Sequence, residues 1–368
     1  MEAVQSNHDL RAYLRTACDA VREGRATHFV LGNEAADLDS MVAAVAAGYW
    51  LTAASGAGGN LFVPLVNIPR ADYKLRTEAV YLLSAVGVEP DLLAFIDEVD
   101  LAAVQAAGTL RLVLVDHNAL AAGQAQLGSA VTGVIDHHQD EGGFQDARPR
   151  LVEPVGSAST LVAEQLLATR PEAVEPELAR LLLGTILLDT VNLDAEARRA
   201  TEKDVQVAAR LTEICGAERQ ALFDRLQFEK FNVDALDTPD LLRKDYKEYQ
   251  MGEVRCGIAS VLLPAARWLE KDPQLGESLA AFARGRNLDL LLAMNAYTDP
   301  DFKRDLVVWA ADEALFKGVN GFLLGSDLAL EPLDAANAQG AHCAAYVQGN
   351  AACSRKKLQP LLQGFLAG

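Results

Sequence analysis

Through the first half of the chain, short apolar runs alternate with longer stretches of helical periodicity. Thr27 to Leu31 is apolar and ends in the loop Gly32-Asn33-Glu34-Ala35-Ala36-Asp37-Leu38-Asp39, after which Ser40 opens an Ala-rich helical stretch from Met41 to Leu51. Leu61 to Val66 predicts a second strand. Leu110 to Val115 predicts a third, running straight into Asp116-His117-Asn118, and Thr132 to Ile135 a fourth, running into Asp136-His137-His138. From Glu175 to Asp189 the apolar residues recur at helical spacing, which places Asp189 near a helix end; Glu202 to Glu213 predicts another helix. Short apolar strands separated by helices predict an α/β fold, a parallel sheet with helices on both faces. The run Gly56 to Gly59 precedes a strand rather than following one, so it reads as a loop and not as a phosphate cradle.

Periodicity weakens between Cys215 and Asp240, where charged and aromatic residues mix. The expected division is therefore a first domain over 1–214, a junction over 215–240 and a smaller α/β domain over 241–368. In the second half, strands are expected at Val254 to Val261 and Leu288 to Ala293, and a basic run, Ser354-Arg355-Lys356-Lys357, lies near the end.

Composition narrows the chemistry. A net charge of −18 repels nucleic acid and anionic membranes unless a local patch reverses it. A polyanionic substrate would need concentrated positive charge, from bound metal ions or a basic cluster. The five cysteines are scattered, with no paired spacing, which suits a reducing, cytoplasmic compartment. The opening MEAVQSNHDLRAYL lacks a basic start followed by an apolar stretch, and no apolar run is long enough to span a bilayer.

Three predicted strands end in acidic or histidine-bearing loops, and three of only six histidines fall inside them. In open parallel sheets ligands bind outside the carboxyl ends of strands, so Asp37, Asp39, Asp116, His117, Asp136, His137 and His138 can converge although distant in sequence. Carboxylates with a few imidazoles suit magnesium, manganese or cobalt. Two such ions about 3.5–4 Å apart can share a carboxylate and activate a bridging water against phosphorus. Asp37 and Asp39 can each reach one ion, and Asp116 can bridge them. The plain alternative is that each strand-end Asp caps a loop and that Asp136 orients a neighbouring histidine.

GNEAADLDS, VDHN, IDHH and LLDT, in that order, resemble the motifs of the DHH phosphoesterase superfamily. EPVGSASTLVAEQL resembles the stretch that follows in family II inorganic pyrophosphatases, DTVNL its counterpart in cytosolic exopolyphosphatases and Prune-type proteins, and KDYKEY and SRKK the motifs of the second domain called DHHA2. The resemblance implies a DHH domain followed by a DHHA2 domain, with the active site in the cleft between them. It implies two divalent metal ions, Asp37 and Asp116 binding the first and Asp39, Asp116, His137 and Asp189 the second, with Asp116 and His138 catalytic. It places His138, Asn118, Lys247, Arg355 and Lys356 on the substrate phosphates. Asn33 stands where family II pyrophosphatases carry histidine and where exopolyphosphatases and Prune-type proteins carry asparagine; it either touches the first metal or hydrogen-bonds to its water. Arg199 stands near an expected lysine.

The leading expectation is an exopolyphosphatase acting on linear polyphosphate, with an inorganic pyrophosphatase as the alternative. A nuclease or oligoribonuclease of the same superfamily would carry a Gly-rich GGGH-type motif, which is missing, and the acidic balance opposes nucleic acid. A non-catalytic binding module would not need Asp37, Asp39, Asp116, His137 and Asp189 all intact. The sequence leaves the oligomeric state, the physiological metal and the preferred chain length open.

Overall fold

The computed structural model describes residues 9–56, 58–333 and 342–367. The chain divides into two compact units, Met1–Lys230 and Phe231–Gly368. In the first unit the strands are β1 (His28–Leu31), β2 (Phe62–Val66), β3 (Ala94–Phe95), β4 (Arg111–Val115), β5 (Val131–Asp136) and β6 (Arg150–Val152). They form one sheet in the order β3-β2-β1-β4-β5-β6, every pair parallel. The order reverses beside β1, so a crevice opens where the connections from β1 and β4 leave in opposite directions.

The helices of this unit are α1 (Leu10–Arg22), α2 (Leu38–Ala54), α3 (Thr77–Ser84), α4 (Leu101–Ala106), α5 (Ala158–Thr169), α6 (Pro176–Asp189), α7 (Glu202–Cys215) and α8 (Arg219–Phe231). Helix α2 is buried on every side from Leu38 to Leu51, which is why its apolar residues show no stripe. Packing this tight needs a glycine at one point. A Cβ on Gly48 would lie 2.3 Å from the Tyr13 hydroxyl, which donates to the Phe62 carbonyl at 2.6 Å. Helix α6 begins on Pro176 and runs buried to Asp189 against the same core.

The second unit holds α9 (Thr238–Lys244), β7 (Tyr246–Met251), β8 (Val254–Val261), α10 (Ala265–Lys271), α11 (Leu275–Gly285), β9 (Leu290–Asp299), β10 (Asp301–Ala310), α12 (Glu313–Leu324), β11 (Leu330–Pro332), β12 (Cys343–Gln348) and α13 (Arg355–Leu366). Its sheet runs β11-β12-β10-β9-β8-β7 and is mixed: β8 and β9 are parallel and the other pairs antiparallel. Strand β8 spans Val254–Val261, as the apolar pattern predicts. The pattern misses β7, which alternates exposed polar residues at a sheet edge, and α8, whose charged surface masks its period.

Among the described residues no helix is long and apolar enough to cross a membrane. All five cysteines are free thiols.

Candidate active site

The turn out of β1 is set by side chains that bind their own backbone. The Asn33 carboxamide oxygen accepts from the Ala35 and Ala36 amides at 2.9 and 3.1 Å, and the Ser40 hydroxyl accepts from the Asn33 amide at 2.6 Å. Gly32 lets Ser40 approach, since a Cβ there would sit 2.5 Å from the Ser40 hydroxyl. Asp37 then caps α2, accepting from the Ser40 amide at 3.1 Å.

Two positions on, Asp39 is buried and turned to the start of α5. Its Oδ1 accepts from the Ser157 hydroxyl (2.8 Å) and from the Ser159 amide and hydroxyl (2.9 and 2.6 Å); its Oδ2 accepts from the Ala158 amide at 2.7 Å. These are the open donors of a helix N-terminus, which favours an anion. Oδ2 keeps lone-pair capacity and lies 3.8 Å from His137 Nε2.

Asp116 leaves the end of β4 in the left-handed region, with φ of 62°. Such a conformation in a non-glycine residue costs about 1–3 kcal/mol and points to a constraint at the site. Its Oδ2 accepts from Asn33 Nδ2 at 2.7 Å and its Oδ1 lies 3.2 Å from His137 Nε2. His137 Nδ1 is 3.0 Å from the Val155 carbonyl, which fixes that nitrogen as the donor and leaves Nε2 to Asp116 and Asp39. His138 is held from the other side: Asp136 Oδ1 is 2.8 Å from its Nδ1, while its side chain stays 58% exposed, with Nε2 not engaged in that bond. Asp136 itself is fully buried and also accepts from the His137 amide, so it positions the histidine loop from behind.

Asp189 ends α6, where the helix dipole disfavours a carboxylate. Its Oδ2 is sealed from solvent with no hydrogen-bond partner among the described residues. A cavity of about 340 Å³ gathers Asn33, Asp37, Asp39, Asp116, His137, His138, Asp189 and Arg199. The cavity packs four carboxyl groups together with two imidazoles and one guanidinium. Burial, opposed by His137 and reinforced by Asp39 and Asp37, pushes the Asp116 carboxyl up to about 7. Burial, with Asp39 and Asp37, holds Asp189 well above the usual carboxylate range. Against the lowering effect of burial, the bond to Asp116 and the field of Asp39 raise His137 to about 10.

These residues fit a divalent cation. Donor atoms of Asp116, His137 and His138 lie within 4.8 Å of one another, the Asp189 oxygen is orphaned, and the set is hard oxygen plus imidazole nitrogen.

Other expected residues lie elsewhere. Asn118 is 3% exposed; its amide donates to Asp136 and the Gln139 carbonyl and accepts from the Glu141 amide, so its polar atoms are spent holding the loop after β5. It does not line the cavity. Asn33 offers Asp116 its Nδ2, and its oxygen is spent on the turn. In the second unit, Arg355 opens α13 and pairs with Asp245 at 2.6 Å, while Lys247 on β7 and Lys356 are exposed. Ser157 and Ser159 hold Asp39, a part that matching the stretch EPVGSASTLVAEQL to a family motif did not give them. The signal was present, since Gly-Ser-Ala-Ser before an apolar run is a helix start with spare donors. Gly156 is forced there by contact with Thr190, a Cβ lying 2.4 Å from its methyl.

Comparison with known proteins identifies the family. Residues 27–186 match the profile described as DHH family, N-terminal domain, and residues 224–365 match the DHHA2 domain. The chain is similar to the exopolyphosphatase PRUNE1 of Rattus norvegicus, 39% identical over 361 residues, covering 96% of this chain and 79% of that protein. Against the Homo sapiens protein of the same name the identity is 37% over the same shares of 96% and 79%. The manganese-dependent inorganic pyrophosphatase of Methanothrix thermoacetophila is 24% identical, over 79% of this chain and 85% of its own length.

Proposed function

The chain belongs to the family of the exopolyphosphatase PRUNE1, a DHH domain followed by a DHHA2 domain, and from that premise we propose that it hydrolyses phosphoanhydride bonds, releasing terminal phosphate from linear polyphosphate. The observation that carries the reading is the convergence of Asp37, Asp39, Asp116, Asp189, His137 and His138 on one cavity at the carboxyl edge of the parallel sheet.

In this reading two divalent ions, magnesium or manganese, are held by Asp37, Asp39, Asp116, His137 and Asp189. When bound, they supply positive charge to the phosphoryl oxygens and acidify a water for in-line attack. The chain's own groups do the rest. Asp39, locked on the start of α5, and His137, locked on Val155, set the spacing of the donors. Asn33 holds Asp116 in its strained conformation through Nδ2. His138, with Nδ1 fixed by Asp136, presents Nε2 to a substrate oxygen and can give it a proton as the bond breaks. Arg199 is the cation that lines the cavity and faces the incoming anion. Lys247, Arg355 and Lys356 of the DHHA2 unit supply further positive charge for the phosphates. An Arg355→Lys substitution loses the bidentate fork and should weaken substrate use about tenfold with metal binding unchanged.

Release of phosphate from pyrophosphate, tripolyphosphate and long polyphosphate, compared with magnesium and with manganese, tests the reading. Turnover of the longer substrates is expected. Hydrolysis of pyrophosphate alone would assign the activity named for the Methanothrix relative, and no release from any of the three would refute the proposal.

A further inference from the structure

We propose that the amino edge of the parallel sheet carries a second binding site, for a small phosphate oxyanion, built on Arg111, Arg148 and His28. Strands β2, β1 and β4 start in register, so Phe62, His28 and Arg111 share one row. A cavity of about 220 Å³ opens over that row and adds Arg148, Thr132 and Asn60 to its lining. No acidic residue lines it, in a chain with 51 acidic residues and 33 lysines and arginines. Two arginines left without acids here, in so acidic a protein, make a local reversal of field.

Both guanidinium groups are oriented without being neutralised. Arg111 Nη1 donates to the Leu110 carbonyl at 2.7 Å, and Arg148 Nη1 donates to the Ala147 and Gln145 carbonyls at 2.6 and 3.0 Å. Neither forms an ion pair among the described residues. Backbone carbonyls hold the forks still and leave their remaining donors for a ligand, and such a fork matches a phosphate oxyanion. Arg148 is tied to the sheet as well: its amide donates to the Thr132 carbonyl at 2.7 Å, beside the point where the β4–β5 register shifts. Register breaks of this kind re-aim side chains at functional sites. His28 completes the set. The Thr27 hydroxyl lies 3.0 Å from its Nδ1, and its ring meets Phe62 edge-on at 5.2 Å. With Nδ1 accepting, a neutral ring carries its proton on Nε2 and is a further donor. Burial, then Arg111, lowers the His28 pKa and keeps that ring neutral at pH 7.

The ligand class follows from size and walls. The cavity is smaller than the roughly 300–1,000 Å³ of sites for drug-sized molecules, and Leu51, Val113 and Pro149 close its apolar side. That size and those donors match orthophosphate or pyrophosphate. That the anion is the enzyme's own product rests on the function proposed above; the site itself does not.

Equilibrium dialysis of the full chain with labelled orthophosphate, and separately pyrophosphate, in excess chelator tests the proposal. His137 and Arg199 put positive charge beside the carboxylates of the metal-free cavity, so loss of binding in the arginine variants, and not the chelator alone, assigns the anion to the amino edge. About one equivalent bound per chain is expected, with affinity at least about tenfold weaker in Arg111→Gln with Arg148→Gln. Each single substitution should weaken binding in the same direction, and an unchanged melting temperature shows that the variants fold. The tighter of the two anions names the source. No binding to the wild-type chain in chelator, or equal binding by wild type and the double variant, overturns the proposal. Turnover assays stand apart: binding without any hydrolysis would refute the proposed function and leave this site intact.

Discussion

At their amino ends β1 and β4 begin with His28 and Arg111, and β5 carries Thr132 beside Arg148; at their carboxyl ends the same strands lead into Asp37, Asp116 and Asp136. The two edges are built on one backbone and carry opposite charge. From Arg111 to Asp116 is five residues of extended chain, roughly 17 Å, about twice the Debye length at physiological salt. The cations at one edge therefore do not neutralise the acids at the other. Each edge keeps an unmet demand, for cations at the carboxyl edge and for anions at the amino edge.

The sharpest way to break this comparison is to remove the mobile cations. Excess chelator should reduce phosphate release to background, and readdition of magnesium or manganese should restore it; full turnover with metal removal verified would show that the carboxyl edge needs no added charge. Next in size, Asp116→Ala should cost at least about a thousandfold in turnover, because it deletes the cavity carboxylate that lies 3.2 Å from His137 and 3.8 Å from His138. A rate near wild type would reduce Asp116 to a loop residue.

Asp136→Asn should cost about ten- to hundredfold, the usual effect of losing an outer partner that orients a site histidine. Unchanged kinetics would mean that His138 does not need its Nδ1 held. The smallest effect is on stability. Asp189→Asn removes a sealed carboxyl whose ionised form the metal-free fold disfavours, and should raise the melting temperature of the metal-free protein by about 2–4 °C per kcal/mol regained. Arg111→Gln, at the exposed amino edge, should leave it within about 0.5 kcal/mol of wild type. A fall in melting temperature for Asp189→Asn without metal would show that the carboxylate is already satisfied.

Much of the first unit was legible. Leu110 to Val115 and Thr132 to Ile135 read as strands because buried parallel strands are unbroken apolar runs, and the structure places β4 and β5 there within a residue. Strands β3 and β6, of two and three residues, are too short to leave a pattern. Strand β10 was lost because its first part, Asp301 to Arg304, is mostly charged and largely exposed, and the unbroken apolar run begins only at Leu306. At the site, the acids and histidines were legible because chemistry restricts residue type there. The cradle around Asp39 was not, since any serine before a helix reads first as that helix's own cap. Asn118 misled for a related reason: a polar residue beside a site motif looks like a contact, and only burial reveals that it serves the loop. The amino edge was invisible, because His28, Arg111 and Arg148 meet only through strand register and a loop 37 residues beyond Arg111.

The grip on Asp39 also fixes when the site can exist. Its partners Ser157, Ala158 and Ser159 lie 118, 119 and 120 residues further along the chain, and Asn33 meets Asp116 across 83. Contacts of such span form late, because loop closure must be met before they give anything back. A nascent chain that has emerged only through β5 has Asp39 without its four donors and lacks Asp189 altogether. Competence to hold a cation therefore arrives as a single event near the completion of α6, and ion uptake during synthesis would time-stamp the closing of the sheet.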